Sequence, residues 1–424
     1  MLNCLPPEYS DVIVIGGGPA GLAAATQLKL LGVESVIILE REPQAGGVVR
    51  HCGHSPFGLR EFKKLMLGPA YAAALVQKAL DVGVQIFVNC SVVELHQKGR
   101  LTITTNEGIT EISAKRVVLS TGVRETPRAP RLISGERPLG ITTTGALQSM
   151  VYLKGSVPFK KPVIVGSELV SFSALLTCRS AAIKPVAMLE MNSRISAYAV
   201  SALLPKLFGI PLLKETKLLE IIGKERVSAV KVANSQGQIQ KIECDGVLFS
   251  GQFTPESSLM RMGHLAIDHN VAGPIIDQYG QCSDPAYFAT GNVTHPVETA
   301  GWCWREGMAQ AVIIKQSLSQ ISEQTPLKPL QVLLKSAQIK YITPQCISFS
   351  ILEKSHTHFQ LRMQTAVTGE LSVRQNKQVL WSRHASFLPE RRILIPLNCL
   401  NANNDILAKI NHQDPLEIYF TEQH

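Results

Sequence analysis

At 424 residues, 45% of them hydrophobic and 18% charged, the chain can bury sizeable cores and is long enough for two or three domains. No apolar run is long enough to cross a bilayer, and the opening MLNCLPPEYSD has neither a basic region nor an apolar stretch, so the expected location is cytoplasmic. Nine scattered cysteines, odd in number and never spaced CxxC, argue against a disulfide scaffold or a structural zinc site; the net charge of +9 comes from dispersed Lys and Arg, without the aromatic–basic patch of a nucleic-acid binder.

The stretch DVIVIGGGPAGLAAATQLKLLGVESVIILE, residues 11–40, organises the rest. Residues 12–15 are a continuous apolar run, the pattern of a parallel strand buried on both faces. Gly16, Gly18 and Gly21 fill the three glycine places of GxGxxG. The first permits a tight turn, the second lets a pyrophosphate approach the backbone, and the third lets helix and strand pack closely. A helix over about residues 19–31, opening with Pro19 and Ala20, aims free N–H groups and the positive end of its dipole at that pyrophosphate. A second strand, 35–39, ends on Glu40, whose carboxylate can accept hydrogen bonds from an adenosine ribose. GxGxxG alone is equally a tight turn in an α/β domain without ligand; strand, glycines, helix, strand and acid in register are far more specific.

After Glu40 the chain turns through Arg41 into Gly46 and Gly47, a pair suited to passing close to a bound cofactor, and VVRHCGHSPFGLREF follows. There His51, Cys52 and His54 either touch a cofactor ring or substrate or are packed structural side chains. Residues 68–80 read as an amphipathic helix, 85–89 as a strand and 91–118 as a small meander turning at Asn106-Glu107-Gly108. The returning strand, 117–122, closes on Ser120-Thr121-Gly122, residues small enough for a dinucleotide to lie against, or simply the end of a buried strand.

Residues 161–190 repeat the opening pattern in damaged form: Gly166 is present, but Glu168 and Ser171 stand where the second and third glycines would be, and the second strand again ends on an acid, Glu190. A carboxylate at the second place crowds and repels a pyrophosphate, so this unit is expected to keep its fold and lose nicotinamide binding. Strands near 218–222, 227–232, 239–244 and 246–250 complete it. PAYFATGN, residues 285–292, returns the chain to the first domain, with Gly291 and Asn292 at its end, and a helical run follows Thr299, Ala300 and Gly301. Trp302, Cys303 and Trp304 either line a cavity or pack into a domain interface. From Pro326 short β-rich pieces take over, near 345–352, 359–365, 371–373, 379–382 and 393–396, with no cysteine pattern for an iron–sulfur cluster; contact with another subunit or domain is the expected role.

Over residues 11–320 the chain resembles the two-dinucleotide-binding-domain flavoproteins, through Gly16, Gly18, Gly21 and Glu40, Ser120-Thr121-Gly122 and Ala289-Thr290-Gly291-Asn292. More narrowly, GGVVRHCGHSPFGLREF, VIVGSELVSFSALL and ETAGWCWREG resemble the FAD subunits of bacterial opine, hydroxyproline and amine dehydrogenases and hydrogen cyanide synthase. The resemblance implies an α/β fold: two Rossmann-like dinucleotide-binding domains of the glutathione-reductase-like FAD/NAD(P) type, plus the small C-terminal β-rich domain. Residues 1–135 with 281–325 would bind FAD, 136–280 would form the NAD(P)-binding-like domain with the degraded glycine motif, and 326–424 the β-rich domain.

It further implies FAD contacts at Gly16, Gly18, Pro19, Ala20, Gly21, Glu40, Arg41, Gly47, Thr121, Gly122, Gly291, Asn292, Thr299 and Ala300, with the last two placing a helix N-terminus beside the flavin pyrimidine edge. Two features depart from the pattern: Asn292 replaces the usual Asp, and the C-terminal cysteine-rich cluster domain of some relatives is not expected here; Cys52, besides, stands alone where flavin-dependent disulfide reductases carry a cysteine pair. Catalytic residues are not assigned; Cys52, His54 and Trp302 are the candidates, and no metal is expected. The leading reading is an FAD-dependent oxidoreductase subunit that takes electrons from an amine or amino-acid-derived donor, beside a second flavoprotein subunit, and relays them to an acceptor other than NAD. The alternatives are an NAD(P)H-dependent flavin reductase and a nucleotide-binding structural subunit.

Overall fold

The computed structural model describes residues 5–319, 329–349, 355–397 and 414–423. The chain divides into two compact units, Met1–Gly47 with Ala72–Val123 and Pro255–His424, and Val48–Tyr71 with Arg124–Thr254. The boundary expected at 280 thus falls at 254 in this division, and residues 255–280 go with the first unit.

In the first unit Val12, Ile13 and Val14 are fully buried, as a strand flanked on both sides and covered on both faces must be. Tyr9–Ile15 pairs in parallel with Val36–Leu39 on one side and with Gly108–Leu119 on the other; Gln85–Phe87 extends the sheet beyond the former and Tyr287–Ala289 beyond the latter. The long strand Gly108–Leu119 serves two partners in turn. Its first half closes the antiparallel meander with Arg100–Thr105 and Ser91–Leu95, and its second half, from Ser113, joins the parallel sheet. It ends at Leu119, short of the expected 122, and the Ser120 hydroxyl lies 2.9 Å from the carbonyls of both Ile15 and Gly16, sharing its one proton between them.

The second unit carries a five-stranded parallel sheet in the order Leu212–Leu213, Ala187–Leu189, Pro162–Val165, Gly246–Phe249 and Ile141–Thr143. Its antiparallel sheet comprises Thr216–Ile222, Ala229–Asn234 and Ile239–Glu243, with Ser134–Gly135 alongside. The helix Thr144–Lys154, absent from the sequence reading, starts directly off the strand Ile141–Thr143.

Beyond residue 328 the described elements are all strands. Leu330–Leu334, Leu416–Glu422, Val367–Gln375 and Gln378–Phe387 form one sheet with Cys346–Ile347; Ile339–Thr343, His358–Met363 and Ile393–Pro396 form a second, and a core including Phe359, Leu361, Leu371, Val373 and Ile418 joins them. The expected strand 345–352 is seen as Cys346–Ile347, and its residues 350–352 lie outside the described residues. Among the described residues no helix is long and apolar enough to cross a membrane.

Candidate dinucleotide site

The first glycine turn is closed at two places and open at one. Gly16 has φ +105°, and a Cβ there would stand 2.5 Å from the Ser120 carbonyl oxygen; one on Gly21 would stand 2.1 Å from the Gly16 oxygen. Gly18 is different: its φ of −80° suits any residue, and the nearest atom to a Cβ there is Gly47 Cα at 4.0 Å. The side chain is missing where space is free, which is what an approaching ligand requires. The helix Pro19–Leu30 starts here with no side-chain cap and no acid in its first turn, so its leading N–H groups face that space. Glu40 is 6% exposed and held from two sides: Gly17 N–H donates to Oε2 and Glu42 N–H to Oε1, each at 2.9 Å. Each oxygen retains a lone pair for a sugar hydroxyl.

Neighbouring segments buttress this turn. Gly46 N–H donates to the Gly17 carbonyl at 2.7 Å, and a Cβ on Gly47 would meet Gly18 Cα at 2.8 Å, so close packing of two backbones requires a glycine at Gly47. On the other flank a Cβ on Gly291 would meet Ala20 Cβ at 2.7 Å, and one on Gly307 the Ala20 oxygen at 2.2 Å, which seats the helix Ala300–Ser319 against Pro19–Leu30. Thr121 Oγ1 donates to the Glu256 carbonyl at 2.7 Å, Gly122 leaves open space around a Cβ, and Arg41 and Thr299 are exposed. Asn292 is spent on the chain itself: Oδ1 accepts from Glu298 N–H at 2.7 Å and Nδ2 donates to the Glu298 carbonyl at 3.1 Å.

In the second unit the same turn is filled by its own side chains. Ser167 Oγ donates to the Glu190 carboxylate and accepts from Ser196 N–H, at 2.8 Å for the latter, while Asn192 donates to the other Glu190 oxygen. Glu168 Oε1 accepts from Gln252 N–H at 2.7 Å, and its carboxylate lies within 2.4 Å of where a Gly251 Cβ would be. Ser171 Oγ donates to Ser250 Oγ at 2.8 Å, which Thr144 also reaches at 3.0 Å, so a hydroxyl chain replaces the bare helix–strand contact of a glycine.

Cys52 and His54 lie in this second unit too. Cys52 Sγ sits 3.6 Å from the Val48 carbonyl and 3.7 Å from Gln148 Oε1; burial and the Glu125 carboxylate push its thiol up to about 12, so it stays protonated near neutrality. Burial brings His51 down to about 4 and leaves its Nε2 without a hydrogen-bond partner, while His54 lies tilted against Phe57 with ring centroids 5.3 Å apart and is also lowered by burial. Trp302, in the first unit, is flanked by the guanidinium groups of Arg305 at 4.8 Å and Arg392 at 3.7 Å, and Lys78 Nζ lies 5.7 Å from the Trp304 ring, all cation–π contacts.

Two features escaped the sequence reading. Glu125 is buried, and its oxygens accept from Gly145 N–H at 2.7 Å and Gly251 N–H at 3.0 Å, tying the start of the helix Thr144–Lys154 to the strand end at Phe249; burial still raises its carboxyl. In the first unit His295, Glu298, Glu306 and Arg362 form a buried ion-pair cluster, with His295 Nε2 3.0 Å from Glu306 and Arg362 Nη2 2.6 Å from Glu298. The only advance signal was an acid three residues after a Thr-Gly strand end and a His-Pro-Val-Glu run before the helix.

The family pattern described as pyridine nucleotide-disulphide oxidoreductase matches residues 10–313. The alpha subunit of sarcosine oxidase of Corynebacterium sp. (strain U-96) is 28% identical over 282 residues, which cover 62% of this chain and 28% of that one. An opine oxidase subunit of Agrobacterium tumefaciens (strain Ach5) is 23% identical over 361 residues, 78% of this chain and 69% of that one. Among solved structures, thioredoxin reductase of T. acidophilum shares the fold with a TM-score of 0.60 at 21% identity, over 74% of this chain and 100% of that one.

Proposed function

Because the chain belongs to the pyridine nucleotide-disulphide oxidoreductase family, we propose that it is an FAD-dependent oxidoreductase, one subunit of a heteromeric dehydrogenase or oxidase. It takes electrons from an amine, imino acid or opine-type donor, works with a second flavoprotein subunit, and relays the electrons to an acceptor other than NAD. The cytoplasmic location read from the sequence belongs to the same proposal.

The observation that carries the reading is the open approach at Gly18, beside an uncapped helix start and a carboxylate held by Gly17 N–H, against its filled counterpart at Glu168. The residues fit FAD: the turn at Gly16, Gly18 and Gly21 would take the pyrophosphate on backbone N–H groups, and Glu40 the adenosine ribose. When bound, the flavin supplies the two-electron chemistry. The chain's own part is to hold the cofactor and keep water from it. Cys52, single and protonated, supports a route without a dithiol relay. The names of the sarcosine and opine oxidase subunits support the donor class.

The test is the purified protein's visible spectrum, followed by mass spectrometry of what co-purifies with it. A flavin band near about 450 nm together with a co-purifying flavoprotein is the expected result. A colourless protein that takes up no FAD contradicts the assignment.

A further inference from the structure

The four residues that lead into the helix Ala300–Ser319 are each gripped by the C-terminal strands or by the helix itself. Tyr341 OH donates to the Pro296 carbonyl at 2.6 Å, and Arg362 Nη2 donates to the Val297 carbonyl at 3.2 Å. The same Nη2 meets Glu298 Oε1 at 2.6 Å, where Gln360 Nε2 also reaches at 3.4 Å. Gln360 Nε2 lies 3.1 Å from His295 Nδ1, and the other ring nitrogen of His295 meets Glu306, in the second turn of the helix, at 3.0 Å. Tyr341 and Arg362 are directly paired across antiparallel strands, and Gln360 and Arg362, two apart on one strand, share a face. One face of one small sheet therefore holds the whole loop.

The loop is closed from its other end as well. Asn292 bonds both the N–H and the carbonyl of Glu298, so the turn from Gly291 to Thr299 is pinned on each side of the Glu298 side chain. Gly291 packs on Ala20, in the first turn of the helix that follows Gly18, which brings the loop beside the open glycine turn. The Arg362 and Glu298 side chains are 11% and 7% exposed. A buried ion pair is a poor way to gain stability compared with apolar packing, but it fixes geometry, because each charge tolerates few alternative positions.

We propose that Arg362, assisted by Gln360 and Tyr341, is a positioning residue: acting through Glu298, it sets the helix start at Thr299–Ala300 against the cofactor of the first unit. The C-terminal β region is thereby a part of the cofactor site at one remove. The inference rests on the reading that FAD occupies the first unit.

The test compares Arg362→Gln and Arg362→Lys with Val373→Ala, which hollows the core of the neighbouring sheet and touches none of the loop contacts. Hydrogen exchange of the peptide covering residues 292–301, in the full chain, needs no flavin. It should rise by about tenfold or more in Arg362→Gln, recover in part in Arg362→Lys and stay unchanged in Val373→Ala. The midpoint potential of bound flavin should fall in Arg362→Gln alone, as the helix N-terminus loses its place. Equal effects in Arg362→Gln and Val373→Ala, or either exchange or potential unmoved in Arg362→Gln, would overturn the proposal. A wild-type chain that takes up no FAD sinks the functional reading and this inference with it; flavin bound at an unchanged potential in Arg362→Gln sinks the inference alone.

Discussion

Gly16–Gly21 and Gly166–Ser171 begin alike. Each opens with a glycine of positive φ, +105° and +116°, whose missing Cβ makes room for a serine carbonyl on the adjacent strand, Ser120 in one and Ser250 in the other. They part at the next residues. In the first unit Gly17 offers only its N–H to Glu40, Gly18 leaves its neighbourhood open, and Gly21 lets the helix touch bare backbone. In the second, Ser167 ties up Glu190, Glu168 docks on Gln252 N–H, and Ser171 fills the helix–strand contact with a hydroxyl bonded to Ser250. The frame of strand, turn and helix survives without glycines at the second and third places; what those glycines preserve is room. A Rossmann turn is therefore a fold element first and a phosphate site only when its side chains are kept out of the way.

The largest break in this comparison should come from Gly18→Leu. The backbone at Gly18 accepts any residue, so the protein should stay folded while FAD affinity falls by about a hundredfold or more, read by flavin content and by titration of the apo-protein. Full flavin content would remove the pyrophosphate from this turn. Gly21→Ala tests the opposite kind of glycine. Its Cβ would overlap the Gly16 oxygen, so a loss of about 1–3 kcal/mol or more is expected in chemical denaturation, with cofactor loss following from the fold.

The converse change sharpens the comparison from the other side. Glu168→Gly with Ser167→Gly removes the resident carboxylate and frees Glu190, and nucleotide affinity of the second unit should rise roughly tenfold over a very weak wild-type value, by calorimetry with NADH. Cys52→Ser should leave electron transfer to an artificial acceptor within about twofold, and the wild-type thiol should resist alkylation at pH 8, because its proton is held up to about 12. Loss of turnover with flavin still bound would make Cys52 a redox group.

His51 gives the smallest effect. Its folded value near 4 lies below the unfolded 6.5, so the unfolded chain binds the extra proton in between, and stability is lost as pH falls from 6.5 towards 4. His51→Asn should flatten that slope in thermal melts; an unchanged slope would assign it to other groups.

The glycine turn and its acid were legible because each residue has its own steric or hydrogen-bonding reason, and those reasons are local. Gly46-Gly47 was read as room for a cofactor; what the structure shows there is the contact with Gly17 and Gly18. The damage at Glu168 was visible as sequence; where its carboxylate goes was not, since Gln252 arrives from a distant strand end. The strands Leu330–Leu334 and Leu416–Glu422 were missed for the same reason: they pair with each other across the length of the C-terminal region. Glu125 with Gly251 and Glu298 with Arg362 likewise are partners far apart in sequence, and a lone acid carries no pattern until the fold supplies its partner.

One titration tests the central claim most directly. Flavin-free protein is titrated by calorimetry first with FAD and then, once saturated, with NADH and NADPH. The account predicts one FAD per chain bound at about micromolar affinity or tighter, and no nicotinamide binding below about millimolar. Binding of NADH or NADPH at low micromolar concentration, followed by bleaching of the flavin faster than any amine donor achieves, would contradict it and make the second unit the electron entrance.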